Sequence, residues 1–259
     1  MSDDAMEAEF DVVARWTREA VDELGADHAI PAACRGSASP SALAWLAEAC
    51  ELATGSVLLD VGGGVGGPAA WARARYGVRP LLVDPMVGAC RAASALFGFP
   101  VVAGSGEELP IAAGSVDAAW CLGVLCTTPA QRTLLTELHR VVRRGGSLGL
   151  LVFVSDDGDP AGAPDGNHFP TRPGLGRLLD DAGFAVVQEL DLTGSGDLPR
   201  TWSDRIDRVE SLVRTRHGAD PRFAAAREDE DRIGRLIADG RVAGLLVHAT
   251  ATGTPPGRR

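Results

Sequence analysis

The chain has 259 residues, a formal charge of −10 and 45% hydrophobic residues, enough to bury a sizeable core. All 25 basic residues are arginine, and the absence of lysine excludes Schiff-base and pyridoxal chemistry, the P-loop, and dehydrogenases that need a Tyr-x-x-x-Lys pair. The acidic balance argues against general nucleic-acid binding, and the apolar runs fall far short of the roughly 20 residues that span a bilayer.

Phe10, Val13, Val21 and Leu24 predict a helix over 8–24, and Ser39-Pro40-Ser41 opens a second through Leu52. After Thr54-Gly55, strands are predicted near 56–61, 79–84, 100–103, 116–122 and 147–154, with helices near 66–76, 86–97 and 129–143 between them. Ser155 to Pro170 is a Gly/Pro/Asp loop of the length that usually carries function. A helix at 171–182 and a strand at 184–191 follow. Arg200 to Gly240 then forms a charged helical insertion, broken at Gly218 and Pro221 and placed to lie over the sheet's carboxyl edge, before a last strand at 242–250.

This pattern predicts an α/β, Rossmann-like fold: a mostly parallel seven-stranded sheet with N-terminal helices and a helical lid inserted before the last strand. The division is one domain over 1–252, with a helical cap at 1–54, a cofactor-binding core at 55–155, a substrate side and lid at 156–252, and a disordered tail at 253–259. Five cysteines without a Cys-x-x-Cys pair, and an acidic N-terminal stretch without the form of a signal, point to a reducing cytoplasm.

The strongest local signal is VLLDVGGGVGGP at 57–68, an apolar strand running through glycines into a helix whose free N–H groups face a ligand. Gly62, Gly64 and Gly67 fit the dinucleotide pattern, while Asp60, Gly62, Gly64 and Gly66 fit Asp-x-Gly-x-Gly-x-Gly. The carboxylate of Asp60 discriminates, because it repels a pyrophosphate and suits an ammonium or sulfonium. Asp84 ends the second strand and is placed to accept ribose hydroxyls, or else is a turn residue before Pro85.

Four segments, VLLDVGGGVGGPA (57–69), LLVDPM (81–86), GSGEELPIAAGSVDAAWCLGVL (104–125) and ELHRVVRRGGSLGLLVF (137–153), together resemble the class I S-adenosylmethionine-dependent methyltransferases, in the small-molecule branch of ubiquinone and menaquinone biosynthesis. The resemblance implies that Asp60 and the turn Gly62, Gly63, Gly64 and Gly66 hold the methionine part, Asp84 the ribose, and Met86 the adenine. Ser105, Gly106 and Glu107 border the adenine, with Ser105 where the family's aspartate usually stands. Cys121 and Leu122 end the fourth strand beside the methionine part. The implied activity is methyl transfer to a small-molecule acceptor by in-line SN2 displacement, in bacterial secondary or cofactor metabolism, without metal, nucleic-acid or membrane partners and with a homodimer left open. The alternative keeps fold and cofactor but uses them as a pocket for cyclisation or rearrangement of a natural product.

A proton acceptor is needed only for some acceptors. His168, in the long loop after the fifth strand, is the first candidate base, and His28 in the cap is the second. His139 is read as a helix-surface residue, His248 as a strand residue on the final sheet edge, and His217 as part of the insertion. Arg35 binds a carboxylate or belongs to a linker in which Ser39 caps the next helix.

Overall fold

Parallel strands covered on both faces need side chains that are apolar throughout, without alternation, and Leu58, Leu59 and residues 118–122 are accordingly all buried. In the computed structural model, which describes residues 3–156, 158–192 and 198–253, the elements run α1 (Asp3–Leu24), α2 (Ala29–Ala33), α3 (Pro40–Ala49), β1 (Val57–Val61), α4 (Gly67–Tyr76), β2 (Arg79–Asp84), α5 (Val87–Phe97), β3 (Val101–Ala103), β4 (Val116–Leu122), α6 (Gln131–Val141), β5 (Val142–Val154), α7 (Arg172–Asp181), β6 (Phe184–Asp191), α8 (Arg200–His217), α9 (Pro221–Ala238) and β7 (Ala243–Ala251). Beyond Gly253 the expected disordered tail lies outside the described residues.

The strands form a seven-stranded sheet in the order β3-β2-β1-β4-β5-β7-β6. All neighbours pair in parallel except β7, which is antiparallel to both β5 and β6. One face is packed by Leu134, Leu135 and Leu138 of α6 with Leu175 and Leu179 of α7, the other by Leu43 and Leu46 of α3 against Leu58 and Trp120. No helix among the described residues is long and apolar enough to cross a membrane.

Three expectations are corrected. Residues 29–33, read as part of a linker, form α2, because burial against α4 stabilises a turn too short to persist alone. Strand β5 begins at Val142, not 147: Val116 pairs with Val142 and Ala118 with Ser147, so Arg143–Gly146 form an irregularity within the pairing. His248 is not at a sheet edge, because β7 inserts between β5 and β6 and leaves β6 outermost.

The inserted helices touch the sheet face through Trp202 at the start of α8, which packs against the cluster of Leu58, Trp120 and Leu246, and otherwise pack elsewhere. Val209 and Val213 of α8 pack with Trp16, Ala29 and Ala32 of the N-terminal helices, and His217 stacks on Trp16 at 4.3 Å between ring centroids. Leu236, near the end of α9, packs with Phe169 and Cys126 beyond the carboxyl end of β4. The pair therefore joins the N-terminal cap to the 155–170 loop and roofs the sheet's carboxyl edge.

The segment after β3 is tied down by a shielded ion pair. Glu137 accepts from the Leu109 amide at 3.0 Å and from Arg140 at 2.6 and 2.9 Å, while Arg140 donates to the Leu109 and Ile111 carbonyls at 2.8 Å each. Glu137→Ala leaves the Leu109 amide without its acceptor and removes one of the three partners of the guanidinium, so it should cost about 1–3 kcal/mol in denaturant unfolding. A loss below about 0.5 kcal/mol, the range of ordinary surface changes, would show that this pair does not fix the segment.

Candidate functional site

Beyond β1 the chain turns through Gly62–Gly66 into α4. Gly62 has φ +65°, and a Cβ there would run into the Val124 side chain, so glycine lets the turn close against the end of β4. At Gly67 a Cβ would strike the peptide between Ala33 and Cys34, which lies on the first turn of α4. The turn is thus held between the N-terminal cap and the β4 terminus.

Asp60 is 1% exposed, its Oδ2 has no hydrogen-bond partner, and among the described residues no cation pairs with it. Burial pushes its carboxyl up to about 7, with the neighbouring Asp84 charge adding to the rise and the Ala69 amide opposing it. Asp84 is equally buried: one carboxylate oxygen accepts from the Gly64 amide at 2.8 Å and the other from the Met86 amide at 2.9 Å. These bonds fix Asp84 between the glycine turn and the start of α5. Two buried acids thus stand at the ends of adjacent parallel strands, beside the glycine turn.

The remaining expected cofactor residues surround this pair unevenly. Met86 is half-buried as the N-cap of α5. The Ser105 hydroxyl accepts from the Glu107 amide at 3.1 Å, and the Glu107 carboxylate accepts from Thr128 at 3.3 Å, which links the segments after β3 and β4 with Gly106 between them. The side chains of Cys121 and Leu122 are buried on opposite faces of the sheet. Burial raises the Cys121 and Cys34 thiols, with the Asp60 charge contributing to both, so neither is a thiolate.

The histidines separate. His168 is fixed by its backbone: its amide donates to Cys126 O at 2.7 Å and its carbonyl accepts from Gln131 at 2.7 Å. Its Nδ1 lies 3.8 Å from Asp159, whose other oxygen accepts from the Phe169 amide at 2.7 Å. His28 is buried in the cap with Nδ1 3.3 Å from the Gly25 carbonyl and Nε2 without a partner. His139, expected at the surface, is buried edge-on against Phe184 and contacts Thr252 O at 3.2 Å. His248 contacts Ser147 at 3.2 Å, and burial lowers its pKa, so it stays neutral.

Ser39 caps α3 as read, accepting from the Ala42 amide at 3.2 Å. Arg35 is engaged within the protein, with Glu210 and Glu230. Residue patterns did not single out Asp11, whose carboxylate accepts from the Gly88 amide in the first turn of α5, or Asp159. An acid on an amphipathic helix or in a polar loop looks like a solvated charge until its long-range partner is known.

Residues 59–150 match a family described as a methyltransferase domain. A curated relative, 24-methylenesterol C-methyltransferase 2 from rice, Oryza sativa subsp. japonica, is 28% identical over 62% of this chain, which spans about half (49%) of that relative's length. Among solved structures, the [4+2]-cyclase SpnF superposes with a TM-score of 0.63 at 22% identity, covering 81% of this chain and 80% of its own. Geranyl diphosphate C-methyltransferase from Streptomyces coelicolor A3(2), in complex with Mg2+, geranyl-S-thiolodiphosphate and S-adenosyl-L-homocysteine, gives 0.61 at 16% identity over 82% and 76%. The Rossmann-like methyltransferase fold is shared with them.

Asp60 stays protonated in the fold up to about pH 7, whereas an unfolded aspartate ionises near 4. The stability associated with its raised pKa is full below about pH 4 and is lost as pH rises through about 7. Asp60→Asn, which cannot ionise, should gain on the parent by up to about 4 kcal/mol between pH 4 and pH 8. Denaturant unfolding at both pH values checks this, and a difference that does not change with pH would show that Asp60 is not held protonated.

Proposed function

We propose that the protein is an S-adenosylmethionine-dependent methyltransferase acting on a small molecule. The observation that carries this reading is the buried Asp60 carboxylate, with an unpartnered oxygen and, among the described residues, no paired cation, beside a glycine turn and near Asp84. Bound S-adenosylmethionine supplies a methyl group on a sulfonium, already activated for in-line displacement. Asp60 and the main chain of the glycine turn hold the ammonium end, and Asp84, placed at the end of β2 between the glycine turn and α5, accepts the ribose hydroxyls. Met86 lies against the adenine, bordered by Ser105, Gly106 and Glu107. The chain's remaining work is to align an acceptor and exclude water, which the α8–α9 roof suits.

A small molecule is favoured by this roof and by the −10 charge, which disfavours nucleic acid. The names of the rice and Streptomyces proteins also denote methyl transfer to small molecules. Arginine without lysine, with abundant alanine and glycine, fits a GC-rich bacterial genome. With a hydroxyl acceptor, His168 takes the proton, oriented by Asp159 and by its anchored backbone; His28, with no polar contact to the glycine turn, is the second choice. One observation favours the non-methylating alternative, the likeness to a [4+2]-cyclase.

Calorimetry should show binding of S-adenosylhomocysteine, weakened by at least about tenfold in Asp84→Ala, the loss of more than one charge-assisted hydrogen bond. Incubation with methyl-labelled cofactor and a panel of small acceptors should move label into product; product formed without label would establish the cyclase-like reading instead. Once an oxygen acceptor is found, His168→Ala should lower kcat about 100-fold while leaving S-adenosylhomocysteine affinity unchanged, and an unaltered kcat would remove His168 from the chemistry.

A further inference from the structure

Arg35 sits in the segment between α2 and α3 that crosses the glycine turn. The preceding peptide, Ala33 to Cys34, lies on the first turn of α4. Cys34 is within the field of the Asp60 carboxylate, and the Gly36 carbonyl oxygen is 4.0 Å from the position a Gly123 Cβ would take at the end of β4. From this segment the Arg35 side chain reaches both helices of the roof. Its Nη2 donates to Glu230 Oε2 on α9 at 2.5 Å, and its Nε is 2.5 Å from Glu210 Oε1 on α8, an ion pair whose N–H is not aligned for a hydrogen bond. Arg227 closes the group, 3.0 Å from Glu230 and 3.7 Å from Glu210.

A linker that only had to start α3 is already complete with Ser39 and Pro40. The guanidinium does something else: its planar fork engages carboxylates from two helices at once, as a lysine ammonium does not. We infer that Arg35 is a positioning residue, a latch that ties the roof helices to the segment covering the glycine turn and so couples closure of the roof to retention of the cofactor. The inference rests on the cofactor reading above. Release of a ligand from the turn requires residues 33–36 to lift, and while the latch is made they carry α8 and α9 with them. By linkage, a ligand that stabilises the covering segment stabilises the latch, and the latch strengthens binding by the same factor.

The test uses the full chain and S-adenosylhomocysteine, followed by stopped-flow release, calorimetry and hydrogen exchange. Arg35→Gln should speed release and weaken affinity by about tenfold, within the usual range of coupling between sites. The Glu210→Gln, Glu230→Gln double variant should lose at least as much, since it also releases Arg227, and adding Arg35→Gln to it should change nothing more, because the latch is then already broken. Arg35→Lys should recover only part of the effect. Ligand should slow amide exchange in α8 and α9 of the parent but not of Arg35→Gln, a readout that a purely local structural role would not move. Glu230→Gln alone, on a more exposed side chain, serves if Arg35→Gln does not fold. Unchanged release and affinity in the variants, or additive effects in the triple variant, would overturn the latch while leaving the cofactor reading intact. A parent chain that binds no S-adenosylhomocysteine would overturn both.

Discussion

The structure turns on a carboxylate placed where water cannot reach it and no cation answers it. Asp60 ends an apolar strand at 1% exposure with an oxygen unsatisfied. Burying such a group costs stability unless something neutralises it, and in the free protein the neutralising species is a proton, held to about pH 7. Under the proposed reading, the cationic end of the cofactor replaces that proton. The neighbouring Asp84 charge sharpens the requirement, because it raises the cost of ionising Asp60 until positive charge arrives.

Much of the surrounding architecture serves this pair. The parallel register of β1 and β2 brings the two acids to the same edge of the sheet, and the glycines let main chain pass close enough for the Gly64 amide to reach Asp84. The N-terminal cap presses the Ala33–Cys34 peptide onto α4, the Glu137–Arg140 pair fixes the segment after β3, and the roof spans from the cap to the 155–170 loop. The cap and roof helices thereby pack on one another and reach the loop beyond the carboxyl end of β4. Their contacts lean on arginine: Arg35 with Glu210 and Glu230, Arg216 with Glu23, and Arg222 over the Trp16 ring. In a chain without lysine, each of these positions carries a delocalised, planar cation suited to more than one partner.

The sheet, its order of elements and the Asp60–Asp84 pair were legible in the sequence, because an acid at the end of an otherwise apolar run stands out against local expectation. The insertion was legible as helical and its placement over the carboxyl edge was anticipated. Its partners were not, since the amphipathic face of α8 specifies burial and not what it is buried against. Helix α2 escaped notice because Ala-Ile-Pro-Ala-Ala has too few residues to show a period, and its helicity depends on packing against α4. The surface position expected of His139 and the edge position expected of His248 failed for one reason: both depend on how β6, β7 and the residues after them return to the sheet, which no local pattern encodes. Asp159, Asp11 and the acidic partners of Arg35 were hidden in the same way, as charges whose meaning lies in residues distant along the chain.

The central claim is that Asp60 exchanges a proton for the cationic end of the cofactor. Carbon-13 NMR of the Asp60 carboxyl, titrated with and without S-adenosylhomocysteine, addresses it directly. In the free protein the resonance should titrate near pH 7, and ligand should move the midpoint below about 5, toward an ordinary carboxylate. A midpoint near 4 in the free protein, or one near 7 that the ligand leaves in place, would contradict the claim.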